Sequence, residues 1–145
     1  MSVIERSALV NFSAKQMYSL VNDIESYPEY MASCSTAEIL QRGDNWLEAR
    51  LELNKSGVKQ SFVTRNTLDE PHSMTMQLVD GPFKKFNGKW EFQELSANAC
   101  KVSFTLDYVF SNPLMGMMMN STFEEVAGEQ VRNLCERAKD VYGKG

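Results

Sequence analysis

Few residues in this chain are of the types that perform catalysis. The one histidine, His72, follows Pro71 in a turn-like sequence, and it could act as a general base only if a nucleophile and an orienting acid converged on it. The cysteines Cys34, Cys100 and Cys135 form no CxxC pair and match no metal-ligand spacing. No nucleophile-elbow, zinc-protease, Walker A or dinucleotide-binding segment is present. The sequence therefore predicts a solvated histidine, no catalytic residues, no metal site and a protein that is not an enzyme.

Methionines and isolated polar residues on apolar faces are more informative. Met74, Met76 and the methionines within 115–119 gather in one strand and at one helix entrance. Methionine is flexible and polarizable, so these side chains either line a pocket for an isoprenoid or acyl chain or pack an ordinary core. Asn66 and Tyr108 bring polar atoms to apolar faces, and such groups need partners when buried. We hypothesise that one of the two orients a ligand head group; the alternative partner is another side chain or water.

The first third of the chain predicts one strand and one or two helices. Residues 3–10 alternate weakly, as a strand does. Ser13 and Gln16 then form the pattern of a capping box, which opens a helix. A second, short helical turn is expected over Tyr27–Met31, where Pro28 fixes the backbone.

The rest of the chain predicts an antiparallel sheet followed by a long helix. From 34 to 110 apolar residues recur at every second position, in runs separated by turn residues about a dozen positions apart. From Pro113 the apolar spacing changes to three or four, which predicts a helix of roughly seven or eight turns that Gly143 ends. The expected fold class is α+β: a curved antiparallel sheet of about seven strands wrapped around a long C-terminal helix.

This architecture predicts a cavity, because one helix cannot fill the concave face of so wide a sheet. The residues expected to line the cavity and bind the ligand are Asn66, Met74, Met76, Trp90, Phe92, Phe104, Tyr108, Met119 and Phe123. The residues expected at its mouth or lid are Tyr27, Pro28, Tyr30, Phe83, Met115 and Met118.

Composition sets limits on location and partners. The 145 residues suit a single domain over 1–145, and 43% hydrophobic and 23% charged residues are an ordinary globular balance. The net charge of −4 argues against DNA as a partner. Neither a secretory signal nor an apolar run of about 20 residues is present. We expect a cytoplasmic protein, with peripheral contact to the inner membrane left open.

Short segments in fixed order resemble a known family along nearly the whole chain. They are Arg6–Val10, Met17–Tyr30, Phe62–Asn66, Leu78–Phe83, Gly88–Phe92 and Arg137–Gly143. Together they resemble the coenzyme Q-binding branch of the START-like superfamily, which is also described as polyketide cyclase/dehydrase-type. Within that branch the chain is most similar to bacterial toxins that associate with ribosomes. The resemblance implies the helix-grip, or Bet v 1-like, fold.

The resemblance also implies two functions. The coenzyme Q-binding members hold a polyprenyl quinone and support respiration, which implies ubiquinone or a similar lipid as a bound ligand, with no cofactor required. The toxin members are proposed to bind the large ribosomal subunit and block subunit joining, and thus translation initiation. A cyclase or dehydratase activity follows from superfamily analogy alone. The expected partners are therefore a hydrophobic small molecule first, with the large ribosomal subunit and a membrane surface as alternatives.

Overall fold

A computed structural model of the chain describes residues 2–55 and 57–143. Strand β1 is followed by a helical stretch made of α1, a 3-10 turn at Ile24–Ser26 and the short helix α2. Six strands and two helices complete the fold. The bounds are β1 Ser2–Val10, α1 Ala14–Asn22, α2 Tyr27–Tyr30, β2 Cys34–Arg42, β3 Trp46–Lys55, β4 Val58–Asp69, β5 Ser73–Asp80, β6 Phe83–Ser96, β7 Ala99–Phe110, α3 Pro113–Gly128 and α4 Gln130–Tyr142.

The seven strands form one antiparallel sheet in the order β1-β7-β6-β5-β4-β3-β2. Each strand from β2 to β7 pairs with its neighbour in sequence, and β1 returns to pair with β7. The inner face carries the residues that the alternation predicted, such as Phe62, Thr64 and Asn66 on β4. The C-terminal helix covers this face, and the predicted helix-grip fold is confirmed.

The capping box at α1 is confirmed. The Ser13 hydroxyl accepts a hydrogen bond from the Gln16 backbone N–H at 3.1 Å, and the Ser13 N–H donates to Gln16 Oε1 at 2.9 Å. An N-cap of this type stabilises a helix by about 1 kcal/mol. It directs the buried residues of α1, including Met17 and Val21, onto the core.

The long C-terminal helix is present but divided into two segments. The break falls at Glu129, whose ψ of −7° departs from the value of a regular α-helix. Gly128 is the residue before it, and a Cβ there would lie 3.1 Å from Nη2 of Arg6. Glycine thus lets the Arg6 side chain of β1 approach the helix at the junction of the two segments, while its low helix propensity favours a break there. Gly143, with φ of +83°, ends α4 as predicted.

Two hydrophobic clusters form the interior. The main cluster joins α1, α3 and α4 to the sheet and is rich in aromatic rings, including Phe62, Phe83, Phe86, Phe110 and Phe123. The small cluster comprises Ile24, Tyr27, Met31, Cys34, Leu47 and Ala49. Leu51, Leu53 and Leu68 are partly buried and pack against both clusters. No helix within the described residues is long and apolar enough to cross a membrane.

Candidate ligand cavity

A cavity of about 80 Å³ lies between the sheet and the C-terminal helix, where the two clusters meet. Its floor is formed by strands β3 to β7, and its roof by Phe123, Val126 and Ala127 of α3. Ile24 and Tyr27 close one side. The lining is mostly apolar, and its polar side chains include Thr64, Asn66 and Gln130. Such a site suits an apolar ligand that carries few polar atoms.

The structure places part of the predicted lining in the cavity wall. Asn66, Met76, Trp90, Phe104 and Phe123 line it, and so does Tyr27, which was expected at the mouth. That these residues bind a ligand stays a prediction.

The remaining predicted lining residues lie in the packed core or beside it. Met74 is buried below Asn66, Phe92 packs edge-on against Tyr18, and Tyr108 packs against Phe123. Met119 accepts a hydrogen bond from Gln60 through its sulfur at 3.8 Å. The expectation that these four line the cavity is corrected, because aromatic neighbours fill the space around Phe92 and Tyr108, and Met74 and Met119 point to other partners.

The expected mouth is corrected at Phe83. This ring is buried and stacks on Phe110 at 4.9 Å between centroids. The cause is a bulge in β6: Phe83 pairs with Phe110 and Lys85 with Val109, so Lys84 is the extra residue. The bulge turns Phe83 to the inner face, where simple alternation from Phe86 would place it outside.

Four other expected mouth residues do not border the cavity. Met118 is 73% exposed on the outer side of α3, and Met115 packs partly buried on the main cluster. Pro28 is exposed in the first turn of α2. The Arg137 guanidinium lies over the ring of Tyr30, with its carbon 5.0 Å from the ring centroid. Arg137 also pairs with Glu29 at 3.2 Å. Helix α2 is therefore fixed to α4, and of the expected mouth residues Tyr27 is the one that lines the cavity.

The sequence prediction missed the aliphatic lining and four other wall residues. Missed on the helical side and on β3 and β4 are Ile24, Ala49, Leu51, Leu53, Phe62 and Thr64. Missed on β6, β7 and α3 and at the start of α4 are Phe86, Leu106, Val126, Ala127 and Gln130. Most were visible as inner-face positions, but the choice of aromatics and methionines passed over them. The informative signal was small size, since Ala49 and Ala127 leave the space that larger residues would fill.

Asn66 has an unusual hydrogen-bonding environment. It is 3% exposed, as is Thr64 two residues earlier on β4. The Thr64 hydroxyl donates to Asn66 Oδ1 at 2.9 Å, and Asn66 Nδ2 donates to the Met74 sulfur at 3.5 Å. A thioether is a weak acceptor, so the amide N–H₂ group at the cavity wall is poorly satisfied within the described residues.

Tyr27 seals the side of the cavity. Its hydroxyl donates to the Val21 carbonyl oxygen, and the side chain is buried. Burial, with smaller contributions from Tyr30, Cys34 and Asp23, raises the pKa of Tyr27 well above the ordinary tyrosine value. The phenol is therefore neutral at physiological pH and holds the 3-10 turn and α2 against α1.

A charged contact lies next to the cavity at the helix break. The Lys55 ammonium, at the end of β3, is 3.0 Å from Glu125 Oε1 and 3.2 Å from Glu129 Oε1. Hydrogen bonding to Glu125, and then to Glu129, raises the pKa of Lys55. This contact, hereafter the Lys55 bridge, ties the β3–β4 hairpin to the junction of α3 and α4.

The residues that could perform chemistry lie elsewhere. His72 is exposed, as predicted. The three cysteines are free thiols, with Cys34 and Cys100 buried. Within residues 2–55 and 57–143, no three His, Cys, Asp or Glu side chains are grouped so as to hold a metal ion. The described wall of the cavity contains no carboxylate, histidine, lysine or cysteine.

A cavity beneath a helix that crosses a curved seven-stranded sheet defines the helix-grip class of ligand-binding domains. The family described as "Polyketide cyclase / dehydrase and lipid transport" matches residues 10–135. The chain therefore belongs to this family, and the predicted membership is confirmed.

Two relatives of this chain are named for different activities. The chain is 43% identical over 142 residues to "Ribosome association toxin RatA" of Escherichia coli K12, covering 98% of this chain and 90% of the relative. It is 25% identical over 143 residues to "Coenzyme Q-binding protein COQ10, mitochondrial" of Dictyostelium discoideum, covering 96% of this chain and 70% of the relative.

Two solved structures share the fold. The ZhuI aromatase/cyclase from Streptomyces sp. R1128 superposes with a TM-score of 0.85 at 17% identity, over 99% of both chains. A START superfamily protein from Mycobacterium smegmatis gives 0.82 at 21% identity, over 96% of this chain and 98% of the other. At these identities the likeness concerns the fold alone. The fold is found both in an aromatase/cyclase and in a protein of the START superfamily.

Proposed function

We propose that this protein binds a hydrophobic small molecule in the cavity, without transforming it chemically. The observation that carries the proposal is an apolar cavity at the junction of the two core clusters, roofed by Ala127 and floored by Ala49. Both positions are nine-tenths or more buried, yet neither is filled by a large side chain. Thr64, Asn66 and Gln130 can form hydrogen bonds, but none of these side chains can act as a general acid or base near neutral pH. A binding role therefore fits the wall better than catalysis.

The size of the cavity defines how binding must proceed. Its volume of about 80 Å³ is below the roughly 150 Å³ of an engineered cavity that accepts benzene. It is also well below the roughly 300–1,000 Å³ of common ligand sites. A ligand ring therefore requires the cavity to enlarge, and the helix that forms the roof is the element that could move away from the sheet.

The finer proposal is a polyprenyl quinone such as ubiquinone. The support is the relative named as a coenzyme Q-binding protein and a cavity in which apolar rings surround one poorly satisfied amide. In this proposal the protein is cytoplasmic and meets the inner membrane peripherally to exchange its ligand.

Native mass spectrometry of the purified protein, followed by extraction and identification of the bound lipid, tests this proposal. A retained quinone, recovered with unaltered mass, is the expected result. Ala127→Leu, which fills the roof, should abolish retention. Protein that carries no lipid, and that takes up none from quinone-containing vesicles, would remove the proposal; a ligand recovered with altered mass would replace binding by catalysis.

Ribosome association is the second candidate, favoured by the 43% identical relative of that name. The Ser111 N–H donates a hydrogen bond to the Pro82 carbonyl oxygen at 3.0 Å, which holds the turn before β6 next to the residues that precede α3. Exposed Lys84, two residues after Pro82, therefore lies near the start of α3. On the same helix Leu114, Met117 and Met118 are exposed. Apolar and basic groups together suit a surface of protein and RNA.

Sedimentation with purified large ribosomal subunits tests this second candidate. Co-migration at low salt that weakens at high salt is expected. Lys84→Glu should reduce it, whereas Lys89→Glu, on the outer face of the sheet beside Glu91, should not. If the wild-type protein stays at the top of the gradient at low salt, this candidate is removed. Normal co-migration of Ala127→Leu would show that the cavity is not needed for it.

A further inference from the structure

We propose that Asn66 selects ligands whose buried end carries a carbonyl-type hydrogen-bond acceptor, with Thr64 as the residue that positions the amide. The proposal rests on ligand binding in the cavity and adds the chemistry of the ligand's inner end.

The amide orientation follows from its two contacts. The Thr64 hydroxyl donates to Asn66 Oδ1 at 2.9 Å, so the oxygen is occupied and Nδ2 faces Met74. The opposite orientation would point Oδ1 at the lone pairs of the sulfur, which repel it. The cavity wall therefore presents a donor whose direction is fixed by a neighbouring side chain.

The donor lacks a strong partner. Nδ2 has two hydrogens, and the acceptor found for it among the described residues is the Met74 sulfur at 3.5 Å. A buried N–H group without an oxygen or nitrogen acceptor is unfavourable. Because Asn66 is 3% exposed, bulk water does not relieve this deficit. A ligand carbonyl oxygen would replace the thioether as a much better acceptor.

The surroundings exclude other polar head groups. Met76 pairs with Asn66 across β4 and β5, and the rings of Phe86, Trp90 and Phe104 line the same cavity. No charged side chain among the described residues lines it. A carboxylate or phosphate would lose its hydration without a cation to pair with. A neutral ketone, quinone or amide oxygen has a small desolvation cost and matches the single donor.

Two probes with one carbon skeleton test the inference: 1-phenyldecan-1-one and decylbenzene, which differ by a carbonyl in place of a methylene. We expect the wild-type protein to bind the ketone about tenfold more tightly, the usual contribution of one buried hydrogen bond. The infrared carbonyl stretch of ¹³C-labelled ketone should shift to lower frequency on binding. The measurements are displacement of a fluorescent apolar dye and isotope-edited infrared spectra.

Variants assign the preference to one side chain. Asn66→Leu, of similar size, should reduce the ketone-to-hydrocarbon ratio to about one and restore the stretch to its value in an apolar solvent. Thr64→Val should reduce the ratio less, because the amide is then free to turn. Asn87→Leu, at an exposed position on β6, is the matched control and should keep the full ratio.

The outcomes separate the two proposals. If both probes bind the wild-type protein equally and the stretch is unshifted, Asn66 has no such role although the cavity still binds ligands. A normal preference in Asn66→Leu would likewise overturn the inference. If neither probe binds, cavity binding itself is wrong and the inference fails with it. The wild-type comparison needs no variant, so it stands even where Asn66→Leu does not fold.

Discussion

The interior has an aromatic half, the main cluster, and a more aliphatic half, the small cluster, and the two differ in how completely they are packed. Around Phe83 the rings of Phe86, Phe110 and Phe123 lie at centroid distances of 5.0, 4.9 and 5.2 Å. The small cluster instead brings Ala49 to the boundary, and the cavity lies there. The difference indicates close aromatic packing on one side and unfilled space on the other, above one sheet.

The largest expected difference between the halves is in stability. Phe83→Ala should lower the free energy of unfolding by about 3–5 kcal/mol, because it empties the centre of the aromatic packing. Leu51→Ala should cost less than about 2 kcal/mol, because Leu51 is partly exposed and borders space that is already empty. Urea unfolding curves measure both values. Equal losses would contradict the division of the interior into two unequal halves.

A second comparison uses two alanines of the C-terminal helix. Ala138→Leu, at a fully buried position of α4, should destabilise by about 1–3 kcal/mol through overpacking. Ala127→Leu, in the cavity roof, should cost less than about 1 kcal/mol, since the added methyls enter open space. The same denaturation measurement and dye binding distinguish the two. Retained dye binding in Ala127→Leu would place the binding space elsewhere.

The two buried thiols sharpen the comparison further. Burial raises the pKa of Cys34, in the small cluster, and of Cys100, in the main cluster, to about 11. At about pH 8 little of either thiol is therefore in the reactive thiolate form, and alkylation is expected mainly when the structure opens locally. Partly exposed Cys135 should be alkylated first, then Cys34, and Cys100 last. Mass spectrometry of timed labelling gives the order; earlier labelling of Cys100 than of Cys34 would mean that the main cluster opens more readily.

The smallest expected effect is at the Lys55 bridge. Lys55→Met keeps the apolar length of the side chain but removes the charge that pairs with Glu125 and Glu129. Dye release in stopped flow should become modestly faster, and the rate of the wild-type protein should rise toward it with salt. Lys89→Met removes a single, more exposed ion pair on the outer face of the sheet and should leave the rate unchanged. A rate unaffected by Lys55→Met would exclude the bridge from ligand exchange.

Most of the fold could be predicted because it depends on local patterns. The capping box at Ser13, the alternation of β3 to β7 and the end of α4 at Gly143 are each encoded within a few neighbouring residues. The division of the C-terminal helix could not be seen in the same way. At this point Arg6, more than 100 positions away in sequence, lies against Gly128, and such a long-range contact leaves no trace in the local spacing.

The candidate site was only half predictable for a related reason. Alternation identifies the inner face, but not which inner residues touch one another. Phe83 escaped because the bulge at Lys84 reverses the side on which it lies. Ala49 and Ala127 escaped because a cavity is made by what small residues leave unfilled, and volume is a property of the assembled structure.

Because the C-terminal helix is irregular at Glu129, its two segments need not move together. α4 is fastened at both sides: Arg137 pairs with Glu29 at 3.2 Å, and the Tyr142 hydroxyl donates to the Gln16 carbonyl oxygen at 3.0 Å. A change in ψ at Glu129 would lift α3 and widen the cavity while α4 stays on α1. Uptake would then be limited by a hinge motion, roughly microseconds to milliseconds, rather than by the slower opening of the sheet. Relaxation dispersion should be confined to the amides of α3.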